Sequence, residues 1–249
     1  EYGARLARAA LEECDVISLR EELSRTELDR LGVKNKNVVV TADPAFMLTP
    51  CDGDWLKYLL TREGFLPDRQ YVCFALRRCE GLSSSFEGEI KKACGELREK
   101  HGLIPAFIAM QRPNDVGLAR SLAAATGGLF ISELTAPELI GLISACRFTV
   151  GMRLHSLIYS AVAGTPVIPV SYDIKVDALA GSLNNASKER GGITPIQAQT
   201  LTARDLWEQA ERILANRDAY AAQITDAARS LAGVARESAK LLGELMERL

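Results

Sequence analysis

The chain has 249 residues, 47% of them hydrophobic, and its 30 basic and 32 acidic side chains leave a formal net charge of −2. That length can bury the core of one to two domains. Balanced charge with no block of like sign excludes a molecule-wide field for nucleic acid and leaves anion binding to local clusters. The longest apolar run, Leu157 to Tyr172, is broken by Gly164, Pro166 and Pro169 and alternates helix with strand patterns, so it does not read as a transmembrane segment.

The first 13 residues read as the tail of a helix with Leu6, Ala9, Ala10 and Leu11 on one side. Asp15 to Leu19 is a strand with Arg20-Glu21 at its carboxyl end, and Ser24-Arg25-Thr26-Glu27 has the capping-box pattern that opens a helix to Leu31, stopped by Gly32. Arg20 thus stands at a strand-to-helix turn, where it is either a ligand contact or half of an exposed salt bridge with Glu21 or Glu22. Val38 to Thr41 is a second strand, running into an Asp43-Pro44 turn. Residues 49–69, with Pro50, Gly53, Gly64 and Pro67 around a short helix from Trp55 to Arg62, read as a linker.

A regular βα series follows: strand Tyr71 to Leu76, helix Phe86 to Lys100, strand Leu103 to Met110, helix Val116 to Thr126, strand Leu129 to Ile131 and helix Pro137 to Ala145. Such alternation predicts right-handed crossovers and a parallel sheet. Arg77 and Arg78 end the first strand side by side, one to face the ligand edge and one to face solvent, and the sequence does not say which. His101, before Gly102 at a helix end, reads as a cation placed against the helix dipole.

The stretch Phe148 to Asp177 concentrates the chemistry. Phe148-Thr149-Val150 is a strand ending at Gly151, Leu154 to Ala163 is a helix stopped by Gly164, and Val167 to Val170 is a second buried strand followed by a helix opening near Lys175. In a parallel sheet both strands aim their carboxyl ends at one edge, so Arg153, His155 and Lys175 are expected in one crevice suited to an anion. Lys175 also has a plainer reading, pairing with Asp173 or Asp177, and an Arg-Leu-His triplet alone identifies nothing.

Residues 184–199, containing Gly191-Gly192, read as a polar loop placed to lie over the crevice. Thr202 to Ala215 is a capped helix. Arg217 to Leu249 is a long amphipathic helix, bent at Gly233, with Leu231, Val234, Leu241, Leu242, Leu245 and Leu249 at three-to-four spacing around Ser238; it serves core packing or a homo-oligomer. The six cysteines, Cys14, Cys51, Cys73, Cys79, Cys94 and Cys146, form no C-x-x-C pair and read as reduced, mainly structural thiols of a cytoplasmic protein. With only His101 and His155 available, a zinc site has little to be built from, and no metal is expected.

The string GMRLHSLIYSAVAGTPVIPVSYDIKVD, with SLREELSRTELDRLGV near the start and VTADPAFML at 40–48, resembles the polysaccharide pyruvyl transferase family, in particular its CsaB-like, bacterial cell-wall-polymer type. The resemblance implies an α/β fold of glycosyltransferase-B type, two Rossmann-like halves with parallel sheets, the first only partly present. Residues 1–50 would end the N-terminal half, 51–69 link the halves, 70–200 form the C-terminal Rossmann-like domain, and 201–249 supply helices packing across the halves. On that reading residues 1–48 expose an unpaired sheet edge and apolar surface.

The activity it implies is transfer of the enolpyruvyl group of phosphoenolpyruvate to a lipid-linked, cell-wall saccharide containing N-acetylmannosamine, forming a pyruvate ketal and releasing phosphate. His155 would be catalytic, and Arg20, Arg77, Arg153 and Lys175 would bind the donor. No cofactor, metal or nucleic acid is implied, and a cytoplasmic location at the inner face of the membrane, with a peripheral membrane contact, fits the acceptor. Two rivals stand beside it: a nucleotide-sugar glycosyltransferase of the same architecture, with Asp173 or Asp177 on a ribose, and a non-catalytic anion- or glycan-binding fragment.

Overall fold

The computed structural model describes residues 2–187 and 192–247. The chain forms two compact units, one of residues up to Met47 together with those from Arg229 onward, the other Leu48–Ala228. The first begins with α1 (Tyr2–Glu12), β1 (Ile17–Leu19), α2 (Glu22–Leu31) and β2 (Val38–Val40), followed by a 3-10 turn at Pro44–Met47. β1 and β2 pair in parallel, Ile17 with Val38 through Leu19 with Val40. No residue of α1 is buried, and Val39 keeps 38% of its exposure. Gly32 ends α2 in the left-handed region at φ +72°, as its sequence predicts. The start differs. Glu21 is the extended N-cap, so Ser24 lies inside the first turn with its hydroxyl 3.4 Å from Glu21 Oε1, and the Ser24 to Glu27 pattern is not a cap.

The second unit continues with α3 (Gly53–Arg62), β3 (Gln70–Ala75), α4 (Phe86–His101), β4 (Leu103–Ile108), α5 (Val116–Thr126), β5 (Leu129–Ile131), α6 (Ala136–Ser144), β6 (Cys146–Gly151), α7 (Leu154–Ala163), β7 (Val167–Ser171), α8 (Ile174–Ala186), β8 (Ile196–Gln197) and α9 (Ala203–Ala215). Its six strands form one sheet in the order β5-β4-β3-β6-β7-β8, and every pairing is parallel. Numbered from β3, this is the doubly wound order 3-2-1-4-5-6, with its switch point between β3 and β6.

Alternation along β3 builds both faces of the core. Val72 and Phe74 join one cluster with Phe107, Phe148 and Ile168, while Tyr71 and Cys73 join another with Ile108, Leu142 and Ile143. Phe74 stacks on Phe107 at a ring separation of 5.1 Å. Each such fully buried side chain contributes about 1.5–3 kcal/mol relative to exposure.

The segment 51–69, read as a linker, is packed. Leu59 is fully buried, Phe65 lies 4.3 Å from the Tyr71 ring, and α3 is fastened to α6 by Trp55 Nε1 donating to Glu138 Oε1 at 2.9 Å. Gly141 admits this approach, since a Cβ there would stand 2.8 Å from Cys51 Sγ. The prolines and glycines of the segment punctuate packed structure.

The stretch read as an open loop ends in β8, whose Ile196 and Gln197 pair with Val170 and Ser171. Asn184 holds its near end, exchanging hydrogen bonds with both backbone groups of Ile193. Residues 188–191, including Gly191, lie outside the described residues. The last helix, α10 (Arg217–Met246), runs unbroken through Gly233, its residues from Arg229 onward belonging to the first unit. Ser238 interrupts its apolar spacing for a reason: its hydroxyl lies 2.7 Å from both Ser18 Oγ and Thr41 Oγ1. Leu249 lies outside the described residues. All six cysteines are free thiols; Cys73, Cys94 and Cys146 are buried, whereas Cys14 is exposed.

Candidate functional site

The carboxyl ends of β3, β6 and β7 bring most of the expected residues to one edge of the second unit. Arg77 follows β3 by two residues. Arg153 follows β6 and is the extended N-cap of α7, which makes His155 the second residue of that helix. Met152 N–H donates to Ala75 O at 3.0 Å, joining the β6 exit to that of β3. Gly151 is required by sterics at this turn: a Cβ would meet Ser156 Oγ at 2.6 Å and Leu157 Cδ2 at 2.7 Å. Behind the turn, buried Ser156 donates to Arg153 O at 2.6 Å and buried Ser160 to Thr149 Oγ1 at 2.8 Å. His155 is exposed, its ring 5.8 Å from that of Tyr159.

The cations differ sharply in how they are engaged. Arg153 gives its Nε and Nη2 to the two oxygens of Asp115, a carboxylate with no exposure at the start of α5, and Asp115 also accepts from Gln111 N at 2.9 Å. The fork expected to hold an anion is thus held by a buried carboxylate, leaving Nη1. Lys175, second residue of α8, has Nζ 3.0 Å from Asp173 Oδ2, both groups about a third exposed. Asp173 caps α8, and its acidity follows from that role: the hydrogen bond from Lys175 N–H first, then the side chain of Lys175 and the charge of Arg77, hold it below the usual carboxylate range against some opposing burial. Asp177 accepts from Ser171 Oγ at 2.7 Å.

Arg77 has no carboxylate partner among the described residues. Its Nη1 donates to Tyr172 Oη at 3.0 Å and its Cζ lies 4.8 Å from the centre of the Tyr172 ring. Arg78 pairs with Glu87 at 2.7 Å in solvent. The structure therefore separates two arginines that are adjacent in sequence. Arg20 lies in the first unit, its Nη1 2.9 Å from Asp43 Oδ2, and Asp43 also accepts from Ala45 N–H as a turn residue. His101 Nε2 meets Glu211 Oε1 of α9, so its partner is a carboxylate as well as a helix terminus.

Asp115 and Tyr172 were not singled out by sequence. Asp115 precedes a helix and has the form of a cap, yet makes no cap bond. Tyr172 sits in an apolar-to-polar transition where an aromatic reads as strand.

Cys146 is fully buried, and burial pushes its thiol well above the ordinary range, which excludes it as a nucleophile. Among the described residues no group of three or more His, Cys, Asp or Glu could hold a metal ion, and no helix is long and apolar enough to cross a membrane.

A doubly wound parallel sheet with basic side chains at its switch point places the chain among α/β proteins of glycosyltransferase-B type. The family model for polysaccharide pyruvyl transferase matches residues 1–174, and the chain belongs to that family. Similar solved structures include S. aureus MnaA with UDP (TM-score 0.68, 13% identity, covering 95% of this chain and 62% of that one). Anabaena HepE in complex with UDP and glucose gives TM-score 0.64 at 10% identity, over 99% and 67% of the two chains. Sucrose-phosphate synthase from Thermosynechococcus elongatus gives 0.61 at 15% identity, over 99% and 62%. At these identities the likeness concerns the fold alone, and the chain spans 62–67% of the length of these three structures. No curated protein matches the sequence.

Proposed function

We propose that the edge formed by the β3, β6 and β7 turns binds phosphoenolpyruvate and that the chain takes part in moving its enolpyruvyl group to two hydroxyls of a saccharide. The observation that carries this reading is the placement of Arg77, free of any carboxylate among the described residues, together with His155 and Lys175 at the switch point of a chain from this family. The donor brings a phosphate and a carboxylate, and each charge-assisted contact is worth about 1.5–3 kcal/mol. Magnitudes decide which cations serve it. The Lys175–Asp173 pair, about a third exposed, is worth about 0–1 kcal/mol and exchanges readily for a phosphate. Breaking the buried Arg153–Asp115 pair costs about 3–5 kcal/mol, so Arg153 contributes through its remaining Nη1 alone. Arg20 is retained as a donor contact to be tested by substitution.

In the reaction one saccharide hydroxyl adds to C2 of the donor while a proton reaches its methylene carbon. The second hydroxyl then displaces phosphate from C2, its proton leaving with the phosphate, and the product is a pyruvate ketal. His155 is the group suited to move these protons, since an exposed imidazole at the start of α7 can both take up and give back a proton. No cofactor enters this scheme. The acceptor we favour is a lipid-linked cell-wall saccharide containing N-acetylmannosamine, met at the cytoplasmic face of the membrane.

The test is phosphate release from phosphoenolpyruvate with a panel of saccharide acceptors, beside thermal shift with phosphoenolpyruvate or UDP. Stabilisation by UDP alone would favour the second reading, a nucleotide-sugar glycosyltransferase, which the UDP in two of the similar structures motivates. Donor binding with no phosphate release under any acceptor would leave a binding fragment.

A further inference from the structure

Tyr172 ends the β7 turn one residue before the α8 cap, and two cations lie against its ring. Arg77 both donates to its hydroxyl at 3.0 Å and places Cζ 4.8 Å from the ring centre, and Lys175 Nζ lies 5.6 Å from the same centre. The ring is anchored from behind, packed on the core cluster that holds Val170 and Phe74. Arg77 Nε also reaches Arg78 O at 3.4 Å, while Nη2 makes no hydrogen bond among the described residues.

We propose that Tyr172 is a positioning residue for anion binding: it holds the Arg77 fork in a single orientation, with Nη2 open, before the donor arrives. The inference rests on the donor reading above and adds to it a residue that touches no substrate. The physical reason is rotamer entropy. A solvated arginine must give up many conformers to bond a carboxylate or phosphate, and a guanidinium already fixed on an aromatic face and a phenolic oxygen has given them up beforehand. The arrangement also needs no carboxylate to steady Arg77, so an incoming anion displaces none. Arg78, steadied by Glu87, shows the alternative that the site avoids.

A double-mutant cycle read by calorimetric binding of phosphoenolpyruvate tests this. Tyr172→Leu is expected to weaken binding about tenfold or more, and Tyr172→Phe, which keeps the packed ring and loses only the hydroxyl, by about two- to fivefold. In an Arg77→Ala background neither substitution should weaken binding further, because Tyr172 acts through Arg77. Additive effects in the cycle, or Tyr172→Phe and Tyr172→Leu both within twofold of the parent, would overturn the inference while leaving the donor reading intact. If Tyr172→Leu does not fold, the Tyr172→Phe arm of the cycle decides by the same criteria. A parent chain that binds UDP and not phosphoenolpyruvate would overturn the donor reading instead, and the same cycle on UDP would still judge Tyr172. Binding of neither would sink both.

Discussion

The guanidinium of Arg153 lies along the carboxylate of Asp115, Nε donating to Oδ2 at 2.9 Å and Nη2 to Oδ1, with 12% of the arginine side chain and none of the aspartate exposed. This pair fastens the turn that carries His155 to the start of α5. Asp115→Ala would leave the guanidinium uncompensated and should cost about 3–5 kcal/mol, measurable by denaturant unfolding. Asp115→Asn, which still accepts from Gln111 N–H, should cost less. Arg153→Lys keeps the charge but loses the two-point bond, and should fall between the parent and Asp115→Ala.

His155→Gln keeps the reach of the side chain without its ionisation. Turnover, followed as phosphate released at saturating acceptor, should fall roughly 10²–10⁴-fold while phosphoenolpyruvate affinity stays near the parent's. Loss of affinity with turnover preserved at saturating donor would make His155 a ligand for the donor and leave the proton carrier unassigned.

Gly151→Ala places a Cβ within 2.7 Å of both Ser156 and Leu157, buried residues in the first turn of α7. Either those side chains or the helix start must shift, and a shifted start carries His155 with it. A lowered thermal midpoint together with reduced phosphate release is expected; an unchanged midpoint would show that the turn adapts.

Burial raises the thiols of Cys73 and Cys94 to about 12 and that of Cys146 well above the ordinary range. In the unfolded chain these groups ionise near about 8.5. Raised folded values mean that their contribution is fully present below the unfolded value and is lost as pH rises above it. Stability should therefore decline from about pH 8.5 toward 12, by up to about 1.4 kcal/mol per pH unit for each thiol. Cys94→Ser should flatten that slope, and thiol labelling of the native chain at neutral pH should reach Cys14 first and the three buried cysteines only on unfolding.

Asp173 works in the opposite direction. Its folded value is depressed, by the α8 N-terminal amide first and by Lys175 and Arg77 after that. Its contribution is present above the ordinary carboxylate value of about 3.9 and disappears as pH falls through the lower folded one. An Asp173→Asn chain should accordingly lose less stability than the parent between about pH 4 and pH 2, as read by acid unfolding.

Local pattern was sufficient for much of the second unit. Val116 to Thr126, Leu129 to Ile131 and Leu154 to Ala163 have the boundaries that their periodicity and terminating glycines predict, because those signals act within a few turns of chain. It failed where an element owes its existence to a neighbour. β8 has two residues after Pro195 and is a strand only because β7 offers it an edge, and the turn-rich segment 51–69 is packed only because α6 and Tyr71 receive it.

For the site, sequence by itself determined that basic and titratable residues end the strands, and the RLH and SYDIKVD strings carried the family resemblance. Tertiary structure alone decided which charges remain available. Asp115, 38 residues before Arg153, closes on it because the strand order sets the β4 and β6 exits on either side of β3. Tyr172, 95 residues beyond Arg77, selects that arginine over Arg78 because β7 ends beside β6, one strand from β3. Charge pairing at such separations follows sheet topology, and topology is a property of the assembled strands that no short window of residues contains.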